Sequence, residues 1–231
     1  MNIFYQPLIP EGVLQLDEDE SRHCIKVLRK KKGDTIRLTD GKGNFYDGMI
    51  TSDSTPCRFG IRETFSQPAR NFNIRIAIAP TKNSDRIEWF VEKAVEFGID
   101  EIVLMECENS ERTHIKIERL RKVAISAMKQ SVKSMLPDIN GLTSLTDVIK
   151  GFKGEGKFIA FVDPSNPVHL KDAARSGQDT LVLIGPEGDF TPGELSQATD
   201  LGFRKVSLGE SRLRTETAGL AACHILNLIN T

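Results

Sequence analysis

Apolar and polar positions follow two rhythms along this chain, and the change lies at about Asn73. After it, short apolar runs that predict buried strands occur at 74–79, 101–107, 158–162 and 180–184. Between them, apolar residues recur every three to four positions, which predicts helices at 85–97, 117–134 and 217–228. A further helix begins at Pro192, with Thr191 as N-cap and Glu194 closing a capping box. This alternation predicts an α/β fold with a largely parallel sheet covered on both faces.

The chain up to about Thr64 has shorter segments and tighter turns. A helical pattern covers 17–29, and alternating segments that predict short strands follow at 35–38, 44–50 and 57–62. We expect a small β-barrel here, followed by a linker at 65–71. The sequence therefore predicts two domains, a β-rich one over 1–68 and an α/β one over 72–231.

Two glycine-bearing loops near the C-terminus are the strongest functional signal. Each follows an apolar run, one within 181–190 and the other within 206–218. In open α/β sheets, ligands bind where strands end and helices begin. A single glycine there is most simply a turn residue. Two such loops, the second carrying charges at 212–216, favour a ligand site, because charges beside a buried strand need partners. The glycines that would let a ligand approach the backbone are Gly185, Gly188 and Gly209.

Other nucleotide-binding patterns do not occur in the sequence. Gly41-Lys42-Gly43 comes closest to a dinucleotide fingerprint, but it lacks the third glycine and lies in a predicted hairpin turn. No P-loop motif occurs either. The predicted ligand loops instead follow the last strands of the chain.

Composition places the chain among soluble globular proteins, with 39% hydrophobic and 27% charged residues. No apolar run is long enough for a membrane helix, and the first residues do not resemble a signal peptide. The four cysteines and four histidines show no metal-ligand spacing, so we expect reduced thiols, no metal and a cytoplasmic location. The net charge of −1 lacks the strongly basic signature of a nucleic-acid binder. The cations at 119–133 are best interpreted as a solvated helix face.

Short motifs spread over nearly the whole chain carry a resemblance to a known family. They lie at 23–29 with 33–34, 93–98, 111–113, 130–131 with 136–137, 185–188, and 208–209 with 213–218. The chain resembles the SPOUT class of trefoil-knotted RNA methyltransferases. Within this class it is similar to the ribosomal small subunit methyltransferase E family, which methylates N3 of a uridine in 16S rRNA. The chain departs from the family's usual residues at Phe97, Lys133, Asp189 and 210–212. Asp189 adds a carboxylate beside the first loop.

The resemblance implies a PUA-like β-barrel as an RNA-binding domain, an α/β domain with a C-terminal trefoil knot, a homodimer, and 16S rRNA of the small subunit as partner. It also implies S-adenosyl-L-methionine as cofactor, with neither metal nor membrane involved. The cofactor-binding residues would be Leu183, Gly185, Pro186, Glu187, Gly188, Leu208, Gly209, Leu213 and Thr217. The candidate RNA-binding residues are Arg22, His23 and the dense basic run Arg29-Lys30-Lys31-Lys32. Alternatively, the cations of this run contribute only to stability, because they suit the negative end of the dipole of the helix predicted over 17–29. Small residues on the last helix suit a dimer interface, and equally suit close packing within one subunit.

Methylation of a uracil imide nitrogen needs help at the acceptor, because N3 is mostly protonated at neutral pH. A base, or a cation that stabilises the anion on the flanking carbonyls, would supply it. The candidates are Arg112, Arg214 and Glu216. Alternatively, Arg214 and Glu216 form a structural ion pair.

Two other functions stay open from the sequence. One keeps the fold and changes the acceptor, as in a ribose 2′-O or other base methyltransferase of the same class. The other is a non-catalytic RNA-binding protein of ribosome assembly with a decayed cofactor site. The intact loop motifs at 185–188 and 213–218 argue against decay.

Overall fold

The computed structural model describes residues 2–111, 114–162 and 168–231, and the chain forms two compact units. Unit 1 contains Met1–Ala69 and Ile125–Leu136, and unit 2 contains Arg70–Ala124 and Pro137–Thr231. The division that the sequence predicts differs from this one chiefly in residues 125–136, which it assigns to the second domain.

Unit 1 contains a four-stranded sheet in the order β1-β2-β3-β4. Its strands are β1 (Ile3–Tyr5), β2 (Thr35–Thr39), β3 (Asn44–Ser52) and β4 (Arg58–Ser66). β1 pairs with β2 in parallel, whereas the other pairs are antiparallel. The inward face holds the apolar core of the unit, including Phe4, Leu38 and Ile50. β4 runs into the predicted linker, and closure of the sheet into a barrel stays a prediction.

The predicted helix over 17–29 is wrong in its second half. α1 covers Glu18–Arg22, with the side chain of Asp17 accepting a hydrogen bond from Glu20 N at 2.7 Å. A π-helix over His23–Val27 follows, in which Leu28 N donates to His23 O at 3.0 Å. The wider turn buries Cys24, and the chain then leaves the helix at Arg29, whose φ is 54°.

The glycine turn between β2 and β3 is structural. Asp40 is buried, and its carboxylate accepts hydrogen bonds from Lys42 N at 2.7 Å and from the hydroxyl of Tyr46 at 3.0 Å. Burial, together with this hydrogen bond, raises the pKa of Tyr46 to about 12. Gly41 has φ 73°, and a Cβ there would lie 2.9 Å from the ring of Tyr5. This packing explains the glycine without a ligand.

Unit 2 contains a six-stranded sheet in the order β10-β8-β9-β5-β6-β7, and every neighbouring pair is parallel. The predicted parallel α/β sheet is therefore confirmed. β9, at the centre, is buried along its whole length. The strands are β5 (Ile74–Ile78), β6 (Glu101–Glu106), β7 (Asp138–Ser144), β8 (Gly156–Ala160), β9 (Thr180–Ile184) and β10 (Arg204–Val206).

The remaining helices are α2 (Ser84–Phe97), α3 (Ile117–Gln130), α4 (Leu145–Gly151), α5 (Leu170–Ala173), α6 (Pro192–Asp200) and α7 (Thr215–Ile229). The capping box of α6 is present as predicted, with both Thr191 and Glu194 bonded reciprocally. α3 ends at Gln130, four residues before the predicted end, and Val132 then adopts φ 57°. In the described ranges no helix is long and apolar enough to cross a membrane. The trefoil knot stays a prediction.

Candidate cofactor-binding cavity

The loop after β9 is tightly packed at Gly185. A Cβ at this position would lie 2.9 Å from Cε2 of Phe190, whose ring is buried. The side-chain hydroxyl of Thr215, at the start of α7, donates to the carbonyl oxygen of Gly185 at 3.1 Å. The two predicted ligand loops are thus joined by a hydrogen bond, and the first of them requires glycine because of its own packing.

Asn109 holds the second half of the same loop. Its side-chain amide donates to the carbonyl oxygens of Gly188 at 3.2 Å and Asp189 at 3.0 Å. Asp189 has φ 63°, a conformation in which aspartate is more tolerated than most residues, and its Oδ1 accepts from Phe190 N at 2.8 Å. The backbone of this loop is therefore held in place from outside the loop.

The loop after β10 contains a tight turn at Gly209, where φ is 133°. The Ser207 hydroxyl accepts a hydrogen bond from Gly209 N at 3.1 Å and lies 2.9 Å from Gly209 O. The chain then reaches α7, whose first two residues, Thr215 and Glu216, are buried. A β-carbon at Gly219 would lie 2.8 Å from the ring of Phe90 on α2. Gly219 therefore serves packing within the unit.

The two loops border a cavity of about 450 Å³ at the carboxyl ends of β8, β9 and β10. This is the position at which open α/β sheets bind ligands. The cavity is lined by both signs of charge. Its polar lining includes Arg86, Glu187, Asp189, Ser207, Ser211, Arg212, Arg214 and Thr215, and its apolar lining includes Phe161, Val162, Ile184, Val206, Leu208 and Leu213.

Six of the nine predicted cofactor-binding residues line this cavity, namely Gly185, Pro186, Glu187, Leu208, Gly209 and Leu213. The other three lie elsewhere. Leu183 is buried within β9, and Thr217 is half-buried on α7. Gly188 is exposed to solvent but packs against Asn109, since a Cβ would lie 3.1 Å from that of Asn109. The close contact with Asn109 gives a packing reason for this glycine, and its contact with a cofactor stays a prediction.

The three predicted catalytic residues are placed differently. Arg214 lines the cavity and is exposed. Glu216 is not among the lining residues; its side chain is 10% exposed, and its Oε1 lies 3.8 Å from Nε of Arg86. Glu216 therefore forms an ion pair with Arg86. The alternative drawn from the sequence was an ion pair between Glu216 and Arg214, which the described residues do not show. Arg112 lies outside the described residues.

The predicted RNA-binding residues all belong to unit 1. Arg22 forms an ion pair with Glu18 at 2.9 Å, and the ring of His23 lies 6.1 Å from that of Phe4. Lys30 donates from Nζ to the carbonyl oxygen of Thr35 at 3.2 Å. Arg29, Lys31 and Lys32 are exposed.

Sequence reasoning missed several lining residues, of which Arg86, Phe161 and Val162 are the most informative. Phe161 and Val162 directly follow β8, and their place beside the first loop depends on the pairing of β8 with β9. Strand pairing at this distance along the chain leaves no local signal. Arg86 lies on the polar side of an amphipathic helix, where a solvated side chain was the simplest expectation.

Neither a metal site nor a disulfide is found in the part of the chain that the structure describes. No three His, Cys, Asp or Glu side chains in these ranges come together in a way that would hold a metal ion. Cys24, Cys57, Cys107 and Cys223 are buried and form no disulfide. Burial is the main reason why the pKa of Cys24 rises to about 12, so its reactive thiolate form is disfavoured at neutral pH.

Comparison with known families agrees with this architecture. Residues 68–227 match the RNA methyltransferase domain family, and residues 16–56 match the RNA methyltransferase PUA domain family. The chain belongs to the RNA methyltransferase family. A ribosomal RNA small subunit methyltransferase E from Mesomycoplasma hyopneumoniae is 31% identical over 161 residues, which are 67% of this chain and 68% of the relative. The predicted small subunit methyltransferase E branch is thereby confirmed, and so is the PUA-like character of the N-terminal part.

Solved structures of similar proteins cover the whole chain. A probable rRNA-methyltransferase from Porphyromonas gingivalis is 46% identical, with a TM-score of 0.94 over 100% of this chain and 98% of that one. A ribosomal RNA small subunit methyltransferase E from Neisseria gonorrhoeae, solved with S-adenosyl methionine bound, is 27% identical. Its TM-score is 0.84, over 100% of this chain and 98% of the other.

Proposed function

We propose that this RNA methyltransferase transfers a methyl group from S-adenosyl-L-methionine to N3 of a uridine in 16S rRNA of the small ribosomal subunit. The observation that carries the proposal is the cavity of about 450 Å³ between the loops after β9 and β10. Its volume suits one cofactor-sized ligand. The bound cofactor in the Neisseria gonorrhoeae relative supports the same ligand here.

The residues of the cavity fit this cofactor. When bound, S-adenosyl-L-methionine supplies a methyl group on a positively charged sulfur. The backbone at Gly185, Leu208 and Gly209, which two turns and the Thr215 hydrogen bond hold in place, would bind the adenosyl part. The carboxylates of Glu187 and Asp189 would favour the cationic part of the ligand. Leu183, Gly188 and Thr217 would act through the shape of these loops.

The acceptor uracil needs stabilisation of the negative charge that develops on its carbonyl oxygens. Arg214 lines the cavity with an exposed guanidinium, and it suits this role because a cation at the site favours the deprotonated imide. Arg112 stays a second candidate by resemblance. Glu216 is buried beside Arg86, so we assign to it the orientation of that side chain in place of a direct role at the acceptor.

We further propose that the active form is a homodimer in the cytoplasm. α2 and α7 present large apolar side chains to solvent: Trp89 is 41% exposed, Phe97 40% and Leu228 59%. The ring of His224 lies 4.7 Å from that of Phe97, so the two helices form one surface, which we name the α2–α7 face. Exposed apolar residues grouped in this way suit a protein interface, and a second copy is the occupant that the family resemblance implies.

Two measurements test the proposed function. Isothermal titration calorimetry should show S-adenosyl-L-methionine binding that is unaffected by EDTA. Primer extension on 16S rRNA should show a strong stop in a wild-type strain, because a methyl group on N3 blocks base pairing. The stop should disappear on deletion of the gene, return with the wild-type gene, and fail to return with Arg214→Ala. An unchanged stop pattern after deletion would refute this acceptor, and a ribose methyl would leave a different trace.

A further inference from the structure

Arg86 lines the cavity although it belongs to helix α2 and to neither glycine loop. It lies in the first turn of α2, where its backbone N–H donates to Asn83 O at 3.2 Å. Its side chain is 38% exposed and lines the cavity together with Gly185 and Arg214. A guanidinium in this position is available to a ligand that enters between the loops.

The contact between Arg86 and Glu216 leaves the guanidinium donors unused. Nε of Arg86 and Oε1 of Glu216 are 3.8 Å apart, which is too long for a hydrogen bond but short enough for electrostatic attraction. In the ranges that the structure describes, no other ion pair involves Arg86. The buried carboxylate therefore favours one position of the cation without occupying its N–H groups.

The charges of the cavity select the kind of ligand that Arg86 meets. Three cations, Arg86, Arg212 and Arg214, line the cavity together with two carboxylates, Glu187 and Asp189. A ligand group of a single sign, such as a phosphate, would be matched by only one of these two sets of charges. A zwitterion that carries a carboxylate and cationic groups matches both signs.

We propose that Arg86 binds the α-carboxylate of the methionine part of S-adenosyl-L-methionine, and that Glu216 is the residue that positions Arg86. The inference rests on the proposed function of the cavity and assigns one ligand group to one side chain. The planar guanidinium suits a carboxylate because two parallel N–H groups donate to its two oxygens.

A thermodynamic cycle between protein and ligand tests this assignment. The affinities of wild type and Arg86→Gln are measured by calorimetry for S-adenosyl-L-methionine and for its decarboxylated form. Arg86→Gln should weaken binding of the complete cofactor by roughly 10- to 100-fold, the range of hydrogen bonds to charged groups. It should change the affinity for the decarboxylated form by no more than about twofold. Arg86→Lys keeps the charge without the planar fork, so it should fall between the two.

Arg212→Gln is the matched control, because it removes the same charge from the same cavity. The relevant quantity is the ratio of the affinity for the complete cofactor to the affinity for its decarboxylated form. Arg212→Gln shows how much this ratio changes when the cavity loses one positive charge. Glu216→Gln should lower the same ratio by a smaller factor, and it should cause no additional loss in the Arg86→Gln background. A merely structural role for Glu216 would weaken both ligands equally.

Two results overturn the assignment. In the first, Arg86→Gln and Arg86→Lys each lose affinity equally for both ligands. In the second, the ratio of the two affinities in Arg86→Gln matches the ratio in the Arg212→Gln control. Either would leave the proposed function intact, since wild type would still bind the cofactor. Absence of binding to wild type would instead overturn the proposed function together with this inference.

Discussion

The hydroxyl of Thr215 donates to the carbonyl oxygen of Gly185 at 3.1 Å, and this bond ties the start of α7 to the loop after β9. Thr215 is 6% exposed, so the bond is shielded from water. The two residues are thirty positions apart, and each belongs to a different glycine-loop motif. The cavity between the loops therefore depends on a contact that neither motif specifies alone.

Thr215→Val should lower both stability and cofactor affinity. Valine has nearly the shape of threonine but leaves the Gly185 carbonyl without this donor, which costs about 1 kcal/mol in the free energy of unfolding. The affinity for S-adenosyl-L-methionine should fall as well, because the first loop loses its tie to α7. Urea unfolding and calorimetry measure the two effects. Thr215→Ser keeps the hydroxyl and should retain most of the affinity, and equal losses in both variants would contradict this explanation.

Gly188→Ala should disturb the first loop through Asn109. The new Cβ would lie 3.1 Å from Cβ of Asn109, which must shift and weaken its hydrogen bonds to Gly188 O and Asp189 O. Asn109→Ala removes the same bonds, so the double variant should lose less cofactor affinity than the sum of the two single losses. Gly193→Ala is the control, since its nearest atom is 3.9 Å away. Additive losses would show that Gly188 acts directly on the ligand.

A charge on the α2–α7 face should produce a monomer. Leu228→Glu places a carboxylate in the proposed interface, and two-fold symmetry makes it occur twice there. Burying charges of one sign without partners costs several kcal/mol. Multi-angle light scattering should show half the mass of the wild-type particle. Leu201→Glu changes an exposed leucine elsewhere in unit 2 and should leave the dimer intact, whereas a wild-type monomer with full activity would refute the proposed dimer.

Lys31→Ala combined with Lys32→Ala should weaken RNA binding by a similar factor for every sequence. Both side chains are exposed, whereas Lys30 already donates to Thr35 O and is left unchanged. Each lost phosphate contact should lower the slope of log affinity against log salt by roughly 0.7–0.9. Filter binding over a range of salt concentrations measures this slope. Lys150→Ala with Lys153→Ala removes the same charge from unit 2 and serves as control. An unchanged slope would identify the basic run as solvated surface.

Asp47→Asn should destabilise unit 1 at neutral pH and much less in acid. Hydrogen bonds from Nε and Nη2 of Arg37, both at 2.6 Å, lower the pKa of Asp47 below its ordinary value. A carboxyl whose pKa is lower in the folded state adds stability above its unfolded pKa, and this is lost as pH falls through the folded pKa. Both side chains are about one-third exposed, so the expected difference at pH 7 is only about 0.5–1 kcal/mol.

Urea unfolding of wild type and Asp47→Asn at pH 7 and at pH 3 checks this expectation. The difference between the two proteins should shrink at pH 3. Glu63 lies opposite Asp47 on β4, so Glu63→Gln removes a carboxylate from the same region of the sheet and should show no such loss. A difference that stays constant with pH would mean that the ion pair is not its source.

Local motifs made part of the site predictable. The capping box at Thr191 and Glu194, and the glycine turn at Gly209, depend on residues a few positions apart. β7 escaped prediction because it is an edge strand with a largely polar, exposed sequence, and β6 is its neighbour in the sheet that the structure describes. The π-helix at His23–Val27 escaped because its apolar spacing resembles that of an α-helix.

By itself, the sequence determined the alternation of strands and helices, the two glycine loops and the resemblance to an RNA methyltransferase family, because all of these are recorded in short-range patterns. Only the tertiary structure decided that Phe161 joins the first loop, that Arg86 enters the cavity and that Glu216 pairs with Arg86. These contacts depend on which strands pair and which helices pack together. The contacts are therefore set by the burial and pairing of segments that lie far apart in the sequence, and not by local propensity.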